Sequence, residues 1–273
     1  MLPTLRSLPS FRPGIAYVHD GLLYLSLTER SPAANTMRSV RGPTSFASRQ
    51  AGLAPRIINS DCSASQGTCA TATAAVPPPP PHEDTGFVPL PADASDDPNA
   101  QELAALVDDY YAATTTENLG SMGENDGGVV FQGNGDPLAA TDVVLDTVSL
   151  VAQRRNGIAF RLNTLGLCNT NDIDLLLSSD VLARGDRDQR RETRIATVSV
   201  FLPAANPMTY SQLLKPKGDL GFSDACSFVA RLAEAGVDVE CTAVSRPDIK
   251  VAEVEALAKS LGANSFRTRS WIG

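Results

Sequence analysis

None of the five cysteines, Cys62, Cys69, Cys168, Cys226 and Cys241, forms a C-x2-C pair with another. That absence argues against a zinc site or a redox dithiol. Histidine is scarcer still, with only His19 and His82 in 273 residues, so a histidine-based triad or metal centre has little material. No apolar run in the chain approaches the ~18–20 residues of a membrane span. Positive charge is also short, 23 Lys and Arg against 31 Asp and Glu, for a net −8. This balance opposes indiscriminate attraction to nucleic acid or to an anionic membrane, and neither partner is expected. What is present is 42% apolar residues, enough for the core of one α/β barrel or two small domains. The expected compartment is the cytoplasm. The first 14 residues, with two Arg and no acid, suggest an organellar leader as the alternative.

Residues 15–28 predict a hairpin, IAYV and LLYLSL flanking His19-Asp20-Gly21, where Asp-Gly supplies the tight turn. From residue 44 to 97 the composition changes to Ser, Ala, Thr and Pro and culminates in Pro77 to Pro81, which cannot pack as helix or central strand. The organisation expected is therefore an N-terminal tail (residues 1–14) and one domain (residues 15–273) interrupted by a flexible, disordered insertion (residues 44–97). Cys62 and Cys69 fall in that insertion and read as surface thiols. Cys226, on a predicted helix, and Cys241, in a predicted strand, read as small buried hydrophobes.

Regular alternation begins at Pro98. Asp97 is a plausible N-cap, and Leu103, Leu106, Val107, Tyr110 and Tyr111 recur at helical spacing. The strand GVVFQG, a helix over 138–155 with Val144, Leu145, Val148 and Val151 on one face, and the strand IAFRLNT follow. A helix over 172–182, a charged loop, the strand IATVSVFL, a helix over 223–235, the strand VDVECTAV, a helix over 249–261 and the strand SFRTRSWI complete the chain. In the charged loop arginines alternate with acids, so it reads as a solvated turn. Six strands alternating with about five helices predict parallel βαβ units, in an open barrel or a doubly wound sheet. In either case functional groups gather at the carboxyl ends of the strands.

Several segments carry a family likeness. LYLSLTERSPAANTMRSVRG (residues 23–42) resembles the cluster loop of the radical S-adenosylmethionine (radical SAM) enzymes, specifically their TatD-associated branch, with Ser31, Asn35 and Arg38 at the C-x3-C-x2-C positions. FQGNGDPL (131–138) is similar to the family's FCGYGEPL, RLNTLG (161–166) to R-(I/L)-N-T-N-G, and VSVFLPAANPMTYSQLLKP (198–216) to VSISLNA-x4-TY-x-x-L-x-(R/K)-P. The tail resembles the family's ending in F-R-x-R. Together these matches cover residues 15–45 and 127–273.

The resemblance implies an α/β fold of the partial (β/α)6 radical-SAM barrel type. It also implies an S-adenosylmethionine site drawn from Gly133, Gly135, Asp136, Asn163 and Ser199, with Gly133 and Gly135 letting backbone carbonyls approach the ligand and Asp136 offering an acceptor for its ammonium. The family's iron–sulfur cluster needs thiolate ligands, which serine, asparagine and arginine do not replace. The first reading is a chain that has lost the cluster and the radical chemistry and keeps S-adenosylmethionine or nucleotide-like binding, or serves as a scaffold. The alternatives are an active radical enzyme with its cluster on Cys62, Cys69 and Cys168, and a non-radical SAM-dependent enzyme using Asp136, Asn163 and Ser199. No residue is assigned a catalytic role in the first reading.

Overall fold

The computed structural model describes residues 14–19, 22–35, 87, 89–90, 97–113, 128–185 and 192–271. Residues 1–13 of the N-terminal tail, most of the 44–97 insertion, the Asp20-Gly21 turn, Arg38, Cys62, Cys69 and His82 lie outside them. The chain order is β1 (Ala16–His19), β2 (Leu22–Leu25), α1 (Ala100–Ala113), β3 (Val129–Phe131), a 3-10 turn (Pro137–Ala140), α2 (Thr141–Arg154), β4 (Ala159–Thr164) and α3 (Thr170–Ser178). It continues as β5 (Arg194–Phe201), α4 (Pro207–Leu214), α5 (Phe222–Glu234), β6 (Val239–Ser245), α6 (Val251–Ser260) and β7 (Ser265–Ser270).

The seven strands form one sheet in sequence order, β1 antiparallel to β2 and every later pair parallel. Sequential order settles a choice that periodicity left open. A doubly wound sheet reverses its strand order at a switch point, whereas uniform right-handed crossovers in sequential order place all helices on one face. This is the strand order of a partial (β/α)6 barrel, and among the described residues no ladder joins β7 back to β1.

Strand alternation divides the side chains between two surroundings. Leu23, Leu25, Val129, Phe131, Phe160, Leu162, Val198, Val200, Val239 and Cys241 are fully buried in the apolar core, with Leu103, Leu106, Val107, Val144, Val148 and Val151 of the helices. Phe131 and Phe160, neighbours across β3 and β4, stack with centroids 5.3 Å apart. The other face carries Tyr24, Arg161, Asn163, Thr197, Ser199 and Glu240.

Helix starts depart from expectation in instructive ways. The cap of α1 is Asn99, whose Oδ1 accepts from the Glu102 N–H at 3.0 Å, rather than Asp97. Asp97 instead pairs with Arg30 at 3.0 Å. Asn169 caps α3 at 3.0 Å through the Asp172 N–H, so that helix starts at Thr170 and stops at Ser178, four residues before the expected end; Leu182 forms a bridge with Ile195 instead. α4 was not anticipated, although Asn206 followed by Pro207 is a helix-start signal and Asn206 Oδ1 accepts from the Thr209 N–H at 2.9 Å. Within the insertion, Phe87 is buried and meets the Tyr17 ring edge-on at 5.5 Å.

Truncating Phe160 to alanine removes a fully buried ring and its stacking partner, and should cost about 3–5 kcal/mol. Urea unfolding checks this; a loss under about 1 kcal/mol would mean that β4 does not pack as described.

Candidate functional site

Two strand-end loops run side by side at the carboxyl edge. The chain leaving β3 follows the chain leaving β2, with Gln132 N–H donating to Leu25 O (2.9 Å), Gly135 N–H to Thr28 O (3.0 Å) and Asp136 N–H to Arg30 O (2.9 Å). A Cβ on Gly133 would lie 1.9 Å from Ser26 Oγ, and one on Gly135 would lie 2.3 Å from Thr28 O and 2.6 Å from Arg30 O. Neither glycine has positive φ, so what each supplies is space. The space admits the neighbouring loop.

Asp136 is buried, and its carboxylate is engaged by the protein itself. Oδ1 accepts from the Leu138 N–H at 3.0 Å and from Thr164 Oγ1 at 2.8 Å, and Oδ2 from the Leu165 N–H at 2.7 Å. It caps the 3-10 turn and ties the β3 loop to the end of β4. Burial pushes its carboxyl above the ordinary aspartate range, and those hydrogen bonds offset only part of the rise.

The segment carrying the cluster frame is tied to the end of α4. Ala33 forms an antiparallel bridge with Pro216, flanked by Ala34 N–H to Lys215 O (3.0 Å) and Lys217 N–H to Pro32 O (2.8 Å). Ser31 Oγ accepts from the Ala33 N–H at 3.3 Å, and Asn35 Nδ2 donates to Leu213 O at 3.1 Å. Both side chains thus complete local backbone contacts. Of the described cysteines, Cys168 and Cys241 are buried, and burial pushes each thiol up to about 12, away from the thiolate a metal requires. Among the described residues no three His, Cys, Asp or Glu side chains group as a metal site. These residues do not fit an iron–sulfur cluster.

The helix-free face is where polar side chains meet. Asn163 and Ser199 are direct partners in the β4–β5 register. Asn163 donates to Gln132 Oε1 and its own Oδ1 accepts from Arg161 Nε at 3.0 Å. Arg161 in turn pairs with Glu240, whose Oε1 also accepts from Ser199 Oγ at 3.0 Å and Arg267 at 2.9 Å. Beside them Thr197 Oγ1 donates to Asp238 at 3.0 Å. Burial alone would raise the Glu240 carboxyl, but the Arg161 and Arg267 guanidiniums and the Ser199 hydroxyl outweigh it and hold it below the ordinary glutamate range.

Of the residues singled out from sequence, the structure therefore joins Asn163 and Ser199 in one network. Gly133, Gly135 and Asp136 form a loop contact beside it, joined to the network through Gln132 and through the hydrogen bonds of Asp136 to Thr164 and Leu165 at the end of β4. Arg161, Glu240, Arg267 and Arg269 were missed. Their signal was a charge at alternate positions of otherwise apolar or edge strands, as in IAFRLNT, VDVECTAV and SFRTRS.

No protein-family model matches the chain, and no curated protein matches it. Solved structures that resemble it include SuiB of Streptococcus suis bound to S-adenosylmethionine, at TM-score 0.45 and 11% identity, over 65% of this chain and 35% of SuiB. SuiB bound to its precursor peptide SuiA aligns with the same TM-score and identity over 65% of this chain and 34% of that one. TYW1 with a lysine-pyruvate adduct bound aligns at TM-score 0.42 and 8% identity, over 64% of this chain and 52% of TYW1. The chain spans about a third of the length of SuiB and about half that of TYW1.

Gly135→Ala should destabilise by about 1–3 kcal/mol, because the methyl meets two backbone carbonyls that can move only with their loop. A urea midpoint equal to wild type would contradict the loop contact. Glu240 has a folded-state pKa below its unfolded value, so its contribution is complete above the unfolded value of about 4.3 and is lost as pH falls through the folded one. The gap in melting temperature between wild type and Glu240→Gln should narrow from pH 7 to pH 3; a constant gap would count against the ion network.

Proposed function

We propose that this chain is a radical-SAM-like protein of the TatD-associated type that has lost its iron–sulfur cluster and the radical chemistry that depends on it, and that now acts as a small-molecule binding protein. The observation that carries this reading is the state of the cluster frame: Ser31 Oγ accepts from the Ala33 N–H and Asn35 donates to Leu213 O at the end of α4, where thiolates would have to face a metal. In the parent chemistry the cluster supplies the electron that cleaves S-adenosylmethionine. No step of that kind is assigned to these residues.

What the chain offers a ligand is a preformed polar surface. The Gly133–Gly135 loop keeps its shape through contact with residues 26–30, so its backbone carbonyls would receive an ammonium without rearrangement, while Asp136 acts by ordering the loop. Asn163 and Ser199, held by Gln132, Arg161 and Glu240, are oriented before a ligand arrives. S-adenosylmethionine or a nucleotide-like molecule is the ligand class that suits the resemblance, and the same preformed surface would suit a scaffold that must hold one shape. Cys168, buried with its thiol raised, supports neither nucleophilic nor metal chemistry at the β4 end.

The test is iron and sulfide per chain after anaerobic reconstitution, with the visible spectrum before and after dithionite. The expected result is no stoichiometric iron in the wild type, and Cys62→Ser and Cys69→Ser variants that fold and behave like it. About four iron and four sulfide per chain, bleaching on reduction, would return the radical enzyme to first place.

A further inference from the structure

Among the described residues, the inner face holds one cation more than its carboxylates match. Arg161, Arg267 and Arg269 project from β4 and β7, and the acids beside them are Glu240 and Asp238. Glu240 is already taken by Arg161, Arg267 and Ser199, and Asp238 accepts from Thr197. Arg269 receives nothing: its Nε is shut off from solvent and has no hydrogen-bond partner among the described residues. Burial, together with the charges of Arg267 and Arg161, pushes its guanidinium down to about 10, while Glu240 and Tyr24 oppose the shift. It is still cationic at neutral pH.

A buried donor on a charged group is costly to leave unpaired, and proteins keep such groups where a ligand supplies the partner. A guanidinium fork matches two oxygens of one carboxylate or phosphate. We propose that Arg269, with the exposed side of Arg267, forms an oxyanion-binding site on the inner face that takes a small molecule through a carboxylate or phosphate group. Arg161 and Glu240 position Arg267 from behind. The site stands on the inner wall of β4 to β7 alone, so it does not depend on the family reading and is tested without iron or a cofactor.

The experiment is a melting-temperature titration of the full chain with sodium phosphate and, separately, sodium acetate, at constant ionic strength set with sodium chloride. A ligand that binds only the folded state raises stability by mass action, so a site shows as a saturable rise. One of the two anions should give that rise in the wild type, and the one that saturates at lower concentration identifies the ligand group. Arg269→Met, which keeps the length and apolar stem without the buried donor, should abolish the rise and leave the anion-free melting temperature at or above wild type. Arg269→Lys keeps the charge and loses the fork, and should need about tenfold more anion, the loss of roughly one charge-assisted bond. An equal rise in Arg269→Met, or no saturable rise with either anion in the wild type, overturns the proposal. If Arg269→Met does not fold, Arg269→Lys decides: saturation at the wild-type concentration overturns the site.

Discussion

A single run of hydrogen bonds, from Gln132 through Asn163 and Arg161 to Glu240 and on to Ser199 and Arg267, crosses the sheet from the end of β3 to β7. The rest of the inner face depends on it. When every crossover helix lies on one side of a parallel sheet, the other side has no helices to bury it. Here that side carries charge. A carboxylate withdrawn from water is tolerated only if its partners are close, and Oε1 of Glu240 draws its partners from three other strands.

That requirement also accounts for the division of labour between the two faces. Phe131, Phe160, Leu162 and Val198 fill the helix-covered side with apolar volume, where position matters through packing. On the inner side the same strands carry Arg161, Asn163, Thr197 and Ser199, where position matters through direction, since a hydrogen bond weakens quickly off axis. The apolar side gives the stability that lets the inner side hold Arg269 Nε without a hydrogen-bond partner among the described residues.

At the carboxyl edge, the segment that carries Ser31 and Asn35 is ordered by contacts within the protein. In this chain the same segment is held by a bridge to Pro216, by Asn35 on Leu213 O, and by the Gly133–Gly135 loop pressed against Thr28 and Arg30. Most of those contacts are made by backbone, and the Gly133–Gly135 turn packs closely on residues 26–30.

Strand order, every helix but α4, the apolar faces of α1 and α2 and the hairpin were legible in the sequence, because each is set by residues a few positions apart. Cap positions were less so: Asn99, Asn169 and Asn206 act within one turn, but Asp97 competes for the same signal and differs only in pairing with Arg30, 67 residues away. The sequence by itself determined the α/β alternation and which residue types were on hand for chemistry. Only the tertiary structure decided that the strands follow one another without a switch point, that Asp136 faces inward to Thr164, and that residues 161, 199, 240 and 267 share one carboxylate. The reason is range: periodicity and turn chemistry act within a dozen residues, whereas strand register, which brings these groups together, is set by packing across the whole sheet.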